Sequence, residues 1–194
     1  MKYSLICIFI LILCSCTIKQ EMSDDEIEII KRAISFNETS AVADAKVILN
    51  RRIKRFNLKN DLVLKVQLLV VAKEYDTALE TSEQLIKRFP DYIEMIVLHC
   101  VLSKYILPSD EASIIYQRAV KKIQIIAERI ADVQQQYNAF GSLLLLHCLF
   151  NDIANKQLCL VKINGLQISQ EKRGIIEQIS KSTESELFEM CNIY

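Results

Sequence analysis

The chain has 194 residues, and its 24 basic and 24 acidic side chains balance to a formal net charge of zero. This balance argues against a dedicated nucleic-acid binder, and a hydrophobic fraction of 51% argues against a disordered chain. Three glycines and two prolines are too few for the frequent turns of a β-sandwich or β-barrel, so we predict an all-α fold.

The first fifteen residues have the parts of a secretory signal peptide. Lys2 supplies a positive charge, residues 5–13 are apolar without exception, and Ser15 is small enough for a peptidase pocket. A helix needs about 20 apolar residues to cross a bilayer, so this run is too short. A plain buried helix with chance cysteines is the alternative, but the polar stretch 18–26 that follows suits a tether better.

Residues 13–16, Leu-Cys-Ser-Cys, resemble the lipobox of bacterial lipoproteins, in which an apolar, a variable and a small residue precede a cysteine. The resemblance implies cleavage between Ser15 and Cys16, diacylglycerol on the Cys16 thiol and acylation of the new amino group. Thr17 follows the cysteine, where an aspartate would be associated with inner-membrane retention. The expected location is therefore the bacterial cell envelope, anchored by lipid to the outer membrane and facing the periplasm.

The organisation expected from this reading is a signal peptide over 1–15, a lipidated tether over 16–22 and one helical domain over 23–194. Ser23 and Glu26 form a capping box at the start of the domain. Caps and apolar spacing predict helices over about 23–35, 39–56, 61–73, 76–89, 92–106 and 109–136, a buried helix ending near 150, and helices over 152–163 and from 169 and 183 onward.

Apolar residues in and just after the longest predicted helix, over 109–136, recur every three or four positions, which is helical rather than alternating spacing. They are Ile123, Ile126, Ile130, Val133 and Tyr137. That spacing places all five on one helix face. Asn138 and Gly141 are then expected to delay the start of the next helix.

Residues 73–92 resemble the second helix of a tetratricopeptide repeat. Tyr75 fits the aromatic residue before that helix, Ala78 the small residue where paired helices cross, and Pro90 the terminator. The family's small–aromatic–small spacing recurs 34 residues after Ala78, at Ala112, Tyr116 and Ala119.

The match is incomplete, and it covers about residues 60–126. Cys100 stands where a small residue is expected. The departures from the pattern are Val66, Ser82, Leu85 and Pro108. The resemblance implies a tetratricopeptide-like stack of antiparallel helix pairs, and an irregular helical bundle is the alternative.

In such stacks the first helix of each pair lines a groove that usually binds a peptide or a partner helix. The resemblance places the partner-binding residues of the first repeat at Asn60, Val63, Gln67, Val70 and Val71. It places those of the second repeat at Glu94, Val97, Val101, Lys104 and Tyr105. Several are apolar, which suits a hydrophobic partner segment, although some could instead pack under a neighbouring helix.

Two His-Cys dipeptides, at 99–100 and 147–148, carry side chains that zinc prefers. Neighbouring residues on a helix point about 100° apart, so one dipeptide cannot easily share one ion. Both lie in apolar runs, which favours buried thiols beside a partnered histidine at a helix edge. We therefore expect neither a metal nor another cofactor.

Four cysteines besides Cys16 remain in the domain: Cys100, Cys148, Cys159 and Cys191. An exported protein meets an oxidising compartment, where an even number of cysteines permits disulfides. Cys148 and Cys159 flank a predicted helix–helix connection and form the best local pair for a possible disulfide.

Catalytic motifs are absent from the sequence, which has no glycine-rich phosphate loop, no G-x-S-x-G and no H-E-x-x-H. We expect no catalytic residues and no enzymatic activity. The basic run 51–59 could meet anionic head groups or an acidic partner, or it could be a solvated helix end.

Three functions fit these features. The first is a membrane-anchored, periplasm-facing scaffold that binds another protein or peptide segment through a helical-repeat groove. The second is an immunity lipoprotein that neutralises a toxin delivered to the periplasm. The third, a carrier of lipid or a small ligand, requires an internal cavity.

Overall fold

A computed structural model describes residues 22–36, 38–56, 58–191 and 193. These residues form ten helices and no strand: α1 Asp24–Phe36, α2 Thr39–Phe56, α3 Lys59–Val71, α4 Tyr75–Arg88, α5 Ile93–Ile106, α6 Ser109–Arg129, α7 Val133–Leu149, α8 Ile153–Asn164, α9 Gln170–Lys181 and α10 Glu184–Met190. Consecutive helices pack in pairs. The predicted fold class, an all-α stack of helix pairs, is confirmed.

The helices group into two compact units, a finer division than the single domain expected from the sequence. Unit 1 holds the described residues up to Pro90 together with residues 190, 191 and 193, and unit 2 is Asp91–Glu189.

Unit 1 is built from two helix pairs, α1 with α2 and α3 with α4, and α3 also packs against both α1 and α2. Its core includes Ala33, Ala45, Leu49 and Leu68. Met22 belongs to the same buried cluster. Met22, the last residue of the predicted tether 16–22, is therefore packed against the domain.

Unit 2 contains the pairs α5–α6 and α7–α8, and α7 also packs against α5, α6 and α9. The leucine run Leu143–Leu146 of α7 is buried along its whole length. This explains why that run shows no amphipathic period, since neighbouring helices cover α7 on several sides.

The helix starts predicted from capping residues are confirmed by their hydrogen bonds. Ser23 and Glu26 form a reciprocal box, with 3.2 Å from the Glu26 amide to Ser23 Oγ and 3.3 Å from the Ser23 amide to Glu26 Oε2. Thr183 and Glu186 form the same box at α10. The Ser169 side chain accepts from the Lys172 amide at α9.

The single helix predicted over 109–136 is wrong. α6 ends at Arg129, and α7 begins at Val133. Asp132 caps α7 by accepting from the Gln135 amide at 2.8 Å. The supposed continuous apolar face is interrupted here because Val133 is exposed.

Asn138 and Gly141 lie inside α7 rather than before it, so the delayed helix start expected from them is also wrong. A glycine costs a helix interior about 1 kcal/mol relative to alanine. Burial of the leucines that follow outweighs this penalty, since each buried leucine contributes about 1.5–3 kcal/mol.

The residues that carry the tetratricopeptide resemblance are mostly interior. Ala78 and Ala112 are fully buried, as expected where paired helices approach closely, and Cys100, Tyr116 and Ala119 are also buried. This burial is what the resemblance implies, while membership of the family stays a prediction.

The predicted signal peptide and the predicted lipidation site Cys16 lie outside the described residues. Within the part of the chain that the structure describes, no helix has the length and apolarity needed to cross a bilayer.

Candidate interaction site

The five partner-binding positions predicted on α3 differ in their exposure. Asn60, Gln67 and Val71 are half-buried, whereas Val63 and Val70 are buried. α3 is enclosed by α1, α2 and α4, so these two valines are core residues and do not reach a partner. The prediction is corrected to the three half-buried positions.

Gln67 also carries an unsatisfied acceptor. Its side-chain oxygen Oε1 is buried and has no hydrogen-bond partner among the described residues. A buried polar atom without a partner costs about 1–3 kcal/mol. Because this oxygen is itself buried, it offers no contact to a bound segment, and only the half-exposed remainder of the Gln67 side chain is accessible.

On α5, Glu94, Val97 and Lys104 are half-buried and Tyr105 is exposed. Val101 is buried, because α5 packs against α6 and α7. Val101 is therefore removed from the predicted partner-binding set of unit 2, and the other four stay available.

Lys104 and Tyr105 already contact a helix, the chain's own α10. Lys104 Nζ lies 3.8 Å from Glu184 Oε1. The Tyr105 ring meets Phe188 edge-on, with centroids 5.2 Å apart and an interplanar angle of 71°. Glu184 and Phe188 are one helical turn apart, so one face of α10 supplies both contacts.

We call Lys104, Tyr105 and Phe150 the helix-docking surface. Lys104 Nζ lies 5.4 Å from the centroid of the Phe150 ring, within cation–π range. Phe150 in turn stacks on Tyr116, with centroids 4.4 Å apart and planes 14° apart. The surface is thus supported from below by a packed aromatic pair.

Tyr116 anchors a buried polar network with His147 and Asp152. Its hydroxyl donates to Asp152 Oδ2 at 2.6 Å, and the same oxygen lies 2.7 Å from His147 Nδ1. Since the hydroxyl proton is used on Asp152, Nδ1 must be the donor to Tyr116. This assigns the Nδ1-protonated tautomer to His147.

Asp152 also caps α8. It accepts from the Asn155 amide at 3.2 Å and from Asn155 Nδ2 at 2.9 Å. Burial acts to raise the pKa of Asp152, but the hydrogen bonds from Asn155 and Tyr116 outweigh it and hold that pKa below its usual value. The carboxylate is therefore the charged member of the network.

The two ring groups of the network stay neutral. Burial lowers the pKa of His147 against the opposing pull of Asp152. Burial, followed by the hydrogen bond to Asp152, raises the pKa of Tyr116. His147 is only 2% exposed, so the network acts as a support that fixes the α7–α8 turn beneath the helix-docking surface.

The sequence interpretation of His147 as a partnered histidine is thus partly right, but the side chain is buried rather than at a helix edge. Its partner Tyr116 lies 31 residues away in sequence, beyond any local pattern. Among the described residues, no group of three or more histidine, cysteine or acidic side chains is placed to hold a metal ion.

Cys100, Cys148 and Cys159 are free thiols in this structure. Burial raises the pKa of Cys100 and of Cys159 to about 12, so both stay protonated. Cys159 Sγ donates to the Phe140 carbonyl oxygen at 3.1 Å. The helices α7 and α8, which carry Cys148 and Cys159, pack together, and a disulfide between these two residues stays a prediction.

Searches against protein-family models, curated proteins and solved structures found no match to this chain. Around Lys104 and Tyr105, a cation and an aromatic ring contact a carboxylate and a second ring of the helix α10.

Proposed function

We propose that the protein is a lipid-anchored envelope lipoprotein that binds a partner protein on the periplasmic side through its helix pairs. The observation that carries this proposal is that Lys104 and Tyr105 hold a helix, α10, through Glu184 and Phe188. The surface expected to bind a partner helix is therefore one on which a helix fits.

The partner segment is inferred from the contacts of α10. A helix that presents a carboxylate and an aromatic ring four residues apart would reproduce both contacts. The α10 contacts are individually modest: a partly exposed ion pair contributes about 0–1 kcal/mol, and an aromatic pair about 0.5–1.5 kcal/mol. A longer partner helix with additional anchors would displace these two side chains.

Two double variants test the proposal with opposite expected results. Lys104→Ala with Tyr105→Ala removes the surface itself and should weaken partner binding by at least about 2 kcal/mol, roughly thirtyfold. Glu184→Ala with Phe188→Ala removes only the competing side chains and should leave binding unchanged or stronger. The measurement is affinity for a partner captured with the tagged, membrane-bound protein.

The Glu184/Phe188 variant is the matched control, because it breaks the same two intramolecular contacts from the other side. If both variants lost binding equally, the contact between α5 and α10 would be purely structural. Normal binding by the Lys104/Tyr105 variant would place the partner elsewhere.

The anchor has its own test. Replacing Cys16 with alanine should leave an unprocessed precursor and abolish labelling by a fatty-acid analogue, because the thiol that receives the lipid is gone. Cys14→Ala is the control and should be processed and labelled normally. Labelling that survived Cys16→Ala but vanished with Cys14→Ala would assign the lipid to Cys14.

A further inference from the structure

One end of unit 1 collects basic and aromatic side chains from three helices. They are Lys54, Arg55 and Phe56 at the end of α2, Lys59 at the start of α3, and Lys87, Arg88 and Phe89 at the end of α4. We call these seven residues the basic end. The basic run 51–59 is visible in the sequence, and the fold places the basic and aromatic residues of α4 beside it.

Ring contacts hold the basic end together. Arg55 lies 4.9 Å from the centroid of Phe56. Lys59 Nζ lies 5.8 Å from the centroid of Phe89, which joins the start of α3 to the end of α4. Arg88 lies 5.3 Å from the same ring. The residues therefore form one surface.

Helix dipoles account for only part of this surface. Cations in the last turns of α2 and α4 complement the negative helix ends. Lys59, however, lies in the first turn of α3, where the dipole disfavours a cation. Phe56 is 46% exposed, which the dipole does not explain.

Few carboxylates neutralise the basic end. Lys87 pairs with Glu83 at 2.8 Å. Within the described ranges, no carboxylate lies within 4.0 Å of Lys54, Arg55 or Arg88. These three cations are available to an external anion.

The start of α1 lies at the same end of unit 1. Glu26 Oε1 is 2.5 Å from Arg51 Nη2, and Glu26 Oε2 is 4.0 Å from Arg52 Nη1. The start of α1, to which the chain from Cys16 connects, therefore lies beside the basic end. From Ser23 to Cys16 it spans at most about 25 Å.

We propose that the basic end faces the membrane and binds anionic lipid head groups, with the ring of Phe56 at the interface. This inference rests on the proposed lipid anchor at Cys16, which would hold this end of unit 1 near the bilayer. Asp24 and Asp25 are exposed at the start of α1 and offset part of the positive charge of the basic end. Glu26 does not add to this offset, because it already pairs with Arg51. The surface therefore orients an anchored protein and also binds anionic vesicles, more weakly, without the anchor.

The test binds the full chain to vesicles and measures amide hydrogen exchange residue by residue. One set of vesicles is phosphatidylcholine alone, and the other is made with one-third phosphatidylglycerol. On anionic vesicles, exchange should slow over residues 54–59 and 86–90. Each basic residue near an anionic surface contributes about fivefold in affinity. Arg55→Glu with Arg88→Glu should therefore weaken this protection by at least about tenfold.

Lys121→Glu with Arg129→Glu is the matched control, because both residues are exposed in α6 of unit 2 and the charge change is identical. It should retain full protection. Equal protection on neutral vesicles would overturn the proposal, and so would an equal loss of protection in both variants. Absence of protection on anionic vesicles would also overturn it and would leave an acidic protein segment as the ligand.

The same exchange measurement on Cys16→Ala separates this inference from the anchor. Protection is measured at the residues of the basic end, so attachment of the chain through residues 1–21 alone would give no protection there. Protection without fatty-acid labelling of the parent chain would uphold the basic end and reject the anchor. Fatty-acid labelling of the parent chain without protection would uphold the anchor and reject the basic end.

Discussion

Replacing Arg52 with methionine is expected to lower the free energy of unfolding by about 3–5 kcal/mol. The side chains of Arg52 and Asp61 are 6% and 1% exposed, and Arg52 Nε lies 3.1 Å from Asp61 Oδ1. Removing the guanidinium leaves a carboxylate buried without its opposite charge. Denaturant unfolding followed by circular dichroism measures the loss.

Arg51→Met is the control for this variant. Its side chain is adjacent in sequence and also pairs with Glu26, but it is 65% exposed, so its loss should cost about 1 kcal/mol or less. The double variant Arg52→Met with Asp61→Leu should recover most of the stability, because apolar residues can replace a buried ion pair. A cost for Arg52→Met no larger than that for Arg51→Met would show that water reaches the pair.

Tyr116→Phe is expected to cost about 1–3 kcal/mol, because it leaves the Nδ1 donor of His147 and one oxygen of Asp152 without the hydroxyl between them. Tyr137→Phe is the matched control. Tyr137 is also buried, but its hydroxyl donates to a single backbone carbonyl, that of Lys172, at 3.2 Å. Its loss should cost about 1 kcal/mol.

The pH dependence of the Tyr116→Phe cost identifies its source. The hydrogen bond from Tyr116 helps to hold the pKa of Asp152 below its ordinary value. A lowered carboxylate pKa contributes stability that is present above the unfolded-state value and lost as the pH falls through the folded-state value. The difference between wild type and Tyr116→Phe should therefore shrink below about pH 4, while the Tyr137→Phe difference stays constant. A cost that is the same at all pH values would mean that Asp152 is not involved.

The sequence predicted those parts of the fold whose signals are local. The boxes Ser23–Glu26 and Thr183–Glu186 each span one helical turn, and both helices start there. The break before Val133 was missed because the apolar spacing continues through it. The sequence signal for a new helix start was the single capping residue Asp132.

The candidate site was less accessible to sequence reasoning, because its parts meet only through tertiary packing. Lys104 is half-buried and Tyr105 is exposed, and their contact with α10 joins positions about 80 residues apart. Val63, Val70 and Val101 were placed in the groove by repeat register alone. Their burial depends on how many helices surround α3 and α5.

The position of α10 has a practical consequence for capturing a partner. A purification tag added beyond Ile193 would lie a few residues after the helix that contacts Lys104 and Tyr105, and Ile193 is itself buried. A tag at the other end would interfere with the processing proposed at Cys16. The turn after α8 offers a better insertion point, since Gly165 and Gln167 are exposed and exposed loop tips tolerate inserted sequence well.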